Sequence, residues 1–227
     1  VGGVMGAKGV TPFERAVAAA MTSVVGVGAA SFHVGGEEGP ASTVYLGAFR
    51  RSTLEAIGGY DETFVRAQDW EMNHRIRTRG GLIWFTPRMH VTYRPRSSVR
   101  SLGRQYLHYG RWRREVMRRH PETARSLGAL RYFAPPVVTL GVIAGLITGA
   151  LSAVFGLRLL GMANVLTGIP LAYLLGVIAV SPFVSRREPF SVLIRVPVVL
   201  ATMHLCWGWG FLTSPSDLRD GELAGSR

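Results

Sequence analysis

The chain has 227 residues, 48% of them hydrophobic, with a formal net charge of +12 and one cysteine. Its mean hydropathy of +0.21 is high for a wholly soluble protein, and the lone Cys206 excludes an internal disulfide and a secreted disulfide scaffold. The charge is concentrated, because eighteen arginines stand against seven acids between Arg50 and Arg131, a local excess of eleven.

No signal peptide is visible. The chain opens at Val1-Gly2-Gly3-Val4-Met5, without an initiator Met, and reads as a strand internal to a longer protein, so an N-terminal truncation is expected. Thr11-Pro12-Phe13-Glu14 is a helix start, with Thr as N-cap, Pro in the first position and Glu three after the cap. That helix is expected to run to about Val25 and fail at Gly26 and Gly28. Residues 33–42 read as a polar, Gly-rich loop, a plain surface loop or a flap. Residues 43–47 read as a short strand rich in β-formers. Arg51 to Ile57 reads as a short helix closed by Gly58-Gly59, since Gly supplies a left-handed cap. A helix beginning near Gln68, a strand at 82–86 and a second at 90–93 complete an α/β pattern.

Val99 to Arg119 is a different kind of object. Val99, Leu102, Tyr106, Tyr109, Trp112 or Arg113, and Val116 recur at helical spacing, while Arg100, Arg104, Arg111, Arg114 and Arg118 take another face. That pattern predicts an amphipathic helix in the membrane interface; a basic helix on nucleic acid is the rival reading. Three apolar stretches follow, at about 133–155, 159–183 and 190–212, the first two without charge and the last with only Arg195 and His204 as chargeable residues. Each exceeds the roughly 20 residues needed to cross a bilayer, which decides against nucleic acid. Arginine placement, with Arg158 after the first span and Arg186 and Arg187 after the second, puts the basic block in the cytoplasm and the polar tail, 214–227, outside.

The stretch Arg66-Ala67-Gln68-Asp69-Trp70-Glu71-Met72-Asn73-His74-Arg75 carries the candidate chemistry. An acid at a helix start meets unpaired N–H groups and the positive dipole end, which favour its ionised form and suit a base. Glu71 and Arg75, four apart, can pair and hold the helix in shape. Asp61, after Gly58-Gly59, suits a turn-former bonding nearby amides. His90, on a late strand, is a structural histidine or an extra metal ligand. His204, deep in a span, packs or functions.

Gly-Gly-Tyr-Asp-Glu (58–62), then Gln-Asp-x-Glu-x-x-x-Arg (68–75), then Gly80-Gly81, resembles the acceptor half of inverting family 2 glycosyltransferases, which have a GT-A fold. The resemblance continues through residues 43–51, 104–112 and 204–212, and is to the branch that builds succinoglycan and similar exopolysaccharides. It implies that Asp69 deprotonates the acceptor hydroxyl, with Gln68, Glu71, Arg75 and Asp61 positioning around it. Gln105, Arg111 and Trp112 resemble, at longer spacing, the Gln-x-x-Arg-Trp motif with which processive synthases contact acceptor sugar and diphosphate.

The implied fold class is thus α/β: residues 1–97 form the C-terminal, acceptor-side half of a GT-A domain. A basic interface helix at 98–121 follows, then three transmembrane helices within 132–213. The implied activity is transfer from a nucleotide-sugar donor to a lipid-linked saccharide acceptor, by a multi-pass protein of the plasma (inner) membrane, among membrane lipids and without nucleic acid. A divalent metal, Mg2+ or Mn2+, is expected for the full-length enzyme, held by an Asp-x-Asp motif that this sequence lacks. A non-catalytic membrane subunit that docks a partner enzyme is the alternative; a small transporter fits three nearly apolar spans poorly.

Overall fold

The structure, a computed structural model, describes residues 1–125, 129–155, 162–216 and 218. Strand β1 (Gly2–Ala7) leads to α1 (Pro12–Met21), whose start is the expected capping box. Glu14 N donates to Thr11 Oγ1 at 3.2 Å, and Glu14 Oε2 accepts from Thr11 N and Val10 N. Arg94 reaches the buried Glu14 at 3.0 Å and ties the end of the sheet to this cap.

The helix stops at Met21 rather than Val25. Thr22 turns its hydroxyl onto Ala18 O (3.0 Å), and Ser23 caps a new short helix, α2 (Val24–Val27), at Gly26 N. Local Ser and Thr bonding here competes with helix continuation. The expected loop at 33–42 holds the end of α3 (Ser31–Val34) and the two-residue strand β2 (Gly39–Pro40). The expected strand at 43–47 is only an isolated bridge between Tyr45 and Gly3.

Helix α4 (Arg51–Ile57) ends as expected, with Gly58 in the left-handed conformation at φ 79°. After α5 (Gln68–Thr78), the two expected strands are one, β3 (Trp84–Tyr93). Strand β3 is central in the order β1-β3-β2, parallel to β1 and antiparallel to β2. The expected α/β class is thereby coarsened: the chain is helix-rich with one small three-stranded sheet.

Helix α6 (Val99–Arg119) has the expected bounds but a different use for its apolar face. Leu102, Tyr106, Trp112 and Val116 are buried inside the protein, not offered to lipid. A 3-10 turn (Pro121–Arg125) leads to α7 (Leu130–Phe155), α8 (Met162–Val184), α9 (Phe190–Leu193) and α10 (Val196–Leu212). Three stretches are long and apolar enough to cross a membrane: Arg131–Phe155, Asn164–Val184 and Phe190–Leu212. The third is broken by a turn at Ile194 and Arg195. Arg158, the first residues of the expected second span (159–161) and most of the tail lie outside the described residues.

Helices α6 and α10 run side by side in the same direction. A Cβ on Gly103 would meet Cys206 Sγ at 3.2 Å, while Gly110 abuts the Trp207 carbonyl and Gly210 the Leu107 carbonyl. The start of the tail follows α6 too: Arg118 donates to Ser214 O (2.8 Å) and Ser214 Oγ to Arg111 O (3.1 Å). Leu218 is buried beside Phe64, Trp112 and Val116. The described beginning of the expected tail, residues 214–216 and 218, thus packs on α6.

Candidate functional site

Asp69 stands second in α5, and the local sequence explains its setting. Ala67, just before the helix, is left-handed (φ 61°) and no side chain caps the helix start. A non-glycine residue there is strained, and the turn it makes brings Gln68 and Asp69 to the same wall. The Gly58-Gly59 turn, at φ 79° and 71°, presents Tyr60, whose hydroxyl donates to Asp69 Oδ1 at 3.2 Å. Burial first, then the Asp69 charge, raises the Tyr60 pKa and keeps this phenol a donor. The Asp69 carboxylate is exposed.

Glu71 points inward, its side chain 3% exposed. It takes Arg75 Nε at 2.7 Å and a terminal N–H at 2.8 Å. The same guanidinium donates to Ile57 O (2.7 Å) and Gly59 O (2.8 Å), so it locks α5 to the turn that carries Tyr60. This charge-assisted pairing raises the Arg75 pKa, with the Glu71 hydrogen bond as first cause. Asp61 is the turn-former expected, accepting from Thr63 Oγ1 (2.6 Å) and Thr63 N (2.9 Å). The Thr63 hydroxyl is the first cause of its lowered pKa.

A cavity of about 1000 Å³ opens beside Asp69. Arg66, Gln68 and Trp70 line it near the acid. Tyr132, Pro135 and Val138 of α7 line it with Met203 and Trp207 of α10. Arg113 enters between the Trp70 and Tyr132 rings, its guanidinium carbon 4.6 and 4.1 Å from their centroids. Three arginines, Arg66, Arg113 and Arg131, thus face a space whose only lining carboxylate among the described residues is Asp69. His33 also lines it, and burial pushes its pKa down to about 4, so its ring is neutral.

Of the residues singled out from the sequence, Asp69, Gln68 and Trp112 line the cavity, while Glu71, Arg75 and Asp61 brace it from behind. Gln105 is buried one layer down: Nε2 donates to Tyr109 OH (2.6 Å) and Tyr93 OH (3.0 Å), and Oε1 accepts from Arg96 (3.1 Å). It therefore holds Tyr109, itself a lining residue. Arg111 is not in the lining, and its carbonyl serves Ser214. His90 is exposed on β3, away from the cavity. His204 Nε2 donates to Val25 O (2.9 Å) and its Nδ1 accepts from Tyr173 OH (3.1 Å), linking α2 to α8 across α10.

Sequence reasoning missed Tyr60, Arg66 and Arg131 as site residues and left Arg113 as an alternative to Trp112 in the stripe. An arginine with its stem buried and its head stacked on rings occupies an apolar helical position, so that ambiguity was itself the signal. Among the described residues the cavity has one lining carboxylate, which does not fit a divalent metal held against a diphosphate; the metal expected for the full-length enzyme belongs to an Asp-x-Asp motif that this sequence lacks.

No family model matches the chain, and no solved structure matches it. Among curated proteins it is similar to the succinoglycan biosynthesis protein ExoA of Rhizobium meliloti (strain 1021), at 31% identity over 211 residues. The match takes in 93% of this chain and 59% of that protein, so the chain spans well under two thirds of its relative.

Proposed function

We propose that this chain is the acceptor-side part of a membrane-bound, inverting glycosyltransferase of family 2, with a GT-A fold in the whole protein. It acts in exopolysaccharide synthesis, transferring a sugar from a nucleotide donor to a lipid-linked saccharide at the cytoplasmic face of the plasma membrane. The observation that carries this reading is the cavity that joins Asp69 to the apolar walls of α7 and α10. A lipid-linked sugar needs both ends of such a space, a carboxylate at its hydroxyl and an apolar surface for its lipid. The similarity to a succinoglycan biosynthesis protein supports the same assignment.

In this mechanism the Asp69 carboxylate accepts the proton of the acceptor hydroxyl as that oxygen attacks the anomeric carbon of the donor sugar. The bond from that carbon to the nucleotide diphosphate breaks, and the leaving oxygen takes the electron pair. The Tyr60 hydroxyl fixes the Asp69 carboxylate before the proton arrives. Arg66, Arg113 and Arg131 hold the acceptor's diphosphate, their charge concentrated by the apolar walls. Mg2+ or Mn2+ on the donor diphosphate is part of the proposal for the whole protein. No step here is routed through it, because the residues at this cavity do not fit it.

The test is transfer by the whole protein in membrane vesicles, with a panel of labelled nucleotide sugars and a polyprenyl-diphosphate saccharide acceptor. One donor should label the lipid-linked product. Labelling by none, with the protein folded and membrane-inserted, would instead favour a non-catalytic membrane subunit.

A further inference from the structure

Behind the cavity, the C-terminal end of α6 meets α5 at a group of residues that the glycosyl-transfer reading does not use. His74 of α5, His120 at the end of α6 and Glu122 in the 3-10 turn bring one ligand atom each to within 4.8 Å of one another. His74 Nε2 lies 2.8 Å from Glu122 Oε1, and His120 Nδ1 lies 3.6 Å from the same oxygen. We propose that His74, His120 and Glu122 form a zinc-class metal site that pins α5, and with it Asp69, to the end of α6.

The donor set is of the right kind. Two imidazoles and a carboxylate suit zinc, which binds such ligands at about 2.0–2.2 Å in tetrahedral geometry with a fourth place for water. Tetrahedral ligands at that length stand about 3.4 Å apart. Two of the separations above already bracket that figure. The remaining closure is between the two imidazoles, whose ligand nitrogens lie within 4.8 Å of each other, and Glu122, with its side chain 57% exposed on a short turn, adjusts to them.

The surroundings orient the rings as a metal site requires. When His120 ligates through Nδ1, its Nε2 faces Glu71 Oε1 at 3.5 Å. That carboxylate behind a ligating imidazole fixes the tautomer and raises its basicity. The His74 ring is stacked on Trp70, with centroids 5.3 Å apart and planes 7° from parallel. Trp70 in turn carries Arg113 and lines the cavity. None of the three ligands lines the cavity itself, so the ion positions the site and touches no substrate.

The same set has a metal-free use, in which Glu122 simply pairs with two histidines. Zinc affinity separates the two. The whole protein in detergent, stripped with a chelator, is titrated with Zn2+ alone by calorimetry, and Co2+ is substituted to read the visible bands of tetrahedral coordination. One equivalent of Zn2+ should bind, with affinity lowered more than 100-fold by Glu122→Gln and by His120→Asn. Glu122 is a surface residue, so its variant stays folded even where a His74 variant does not. Absence of stoichiometric binding, or binding unchanged in both variants, overturns the site. Sugar transfer is scored separately, so loss of the zinc site leaves the glycosyltransferase reading standing or falling on its own.

Discussion

The two acids of the Asp-x-Glu stretch should fail in different ways, because the structure gives them different surroundings. In Glu71→Gln, Arg75 keeps its bonds to Ile57 O and Gly59 O but loses the buried carboxylate that faces it at 2.7 and 2.8 Å. Removing one partner of a buried ion pair costs about 3–5 kcal/mol. The Gln amide retains one acceptor and the Arg75 side chain is 20% exposed, so the lower end, about 3 kcal/mol, applies. For a domain of this size that is a fall in Tm of roughly 6–12 °C. Asp69→Asn removes a charge from an exposed position whose single described contact is Tyr60 OH at 3.2 Å. Its stability should move by less than about 0.5 kcal/mol, while turnover falls about 10²- to 10⁴-fold through loss of the general base. Donor affinity should stay level, since Asp69 faces the acceptor. Thermal unfolding of both variants in detergent, beside initial rates in vesicles, reads the split. If Asp69→Asn kept wild-type turnover while Glu71→Gln folded normally and abolished it, the base would be misassigned by two residues.

Gly103→Cys should form a disulfide with Cys206 under mild oxidation, because a Cβ at 103 lies 3.2 Å from that sulfur; reducing-sensitive linkage of fragments cut between α6 and α10 reports it, and no linkage refutes their register. His33 supplies the pH dependence. Its pKa is about 4 when folded against an ordinary value of 6.5, so between those limits the unfolded chain binds a proton that the folded chain does not. Stability is therefore full above about pH 7 and falls as pH drops toward 4, by up to about 3 kcal/mol. His33→Phe should flatten the change in Tm between pH 7.5 and 5, and an unaltered slope would assign it elsewhere.

What the sequence made legible was what local chemistry decides. The Thr11–Glu14 capping box, the Gly58 stop of α4 and the bounds of α6 each depend on residues within one or two helical turns. Position along the helix also placed Glu71 against Arg75. The site needed more. Tyr60 reaches Asp69 only because two glycines reverse the chain, and Arg113 reaches the cavity only because Tyr132 comes back from α7 to stack on it. Those contacts are long in sequence and leave no periodic trace. The strand at 43–47 shows the converse: β-forming residues beside the open edge of β1 make one bridge and no strand, since propensity does not fix pairing.

Helix α10 shows what hydropathy leaves open in the apolar part. With α9 it makes up the apolar stretch Phe190–Leu212, which is long and apolar enough to cross a membrane but is broken by the turn at Ile194 and Arg195. The antiparallel pairing of α7 with α8 is marked by Gly141 against Ile169 and Thr148 beside Thr167, so the start of α7 and the end of α8 lie together. Helix α10 touches both of those ends. Gly208 abuts Pro135 and Thr139 near the start of α7, while Val196, Val199 and Leu200 share a core with Val177 of α8 and with Ala16, Val17 and Ala20 of α1. Arg15 holds Glu188, just after α8, at 2.6 Å from the same side. Exposed apolar side chains run along α7 and α8, from Val137 to Phe155 and from Val165 to Phe183, whereas α10 exposes Val198 and Trp209. All three stretches are long and apolar enough to cross a membrane, with the α7–α8 hairpin the more exposed, while α10 packs in addition on α6 and α1. A helix enclosed by protein on several sides and a helix enclosed by lipid are both apolar all round. Only the glycines that α10 and α6 turn toward each other's backbones distinguish the two, and they do so by what they touch.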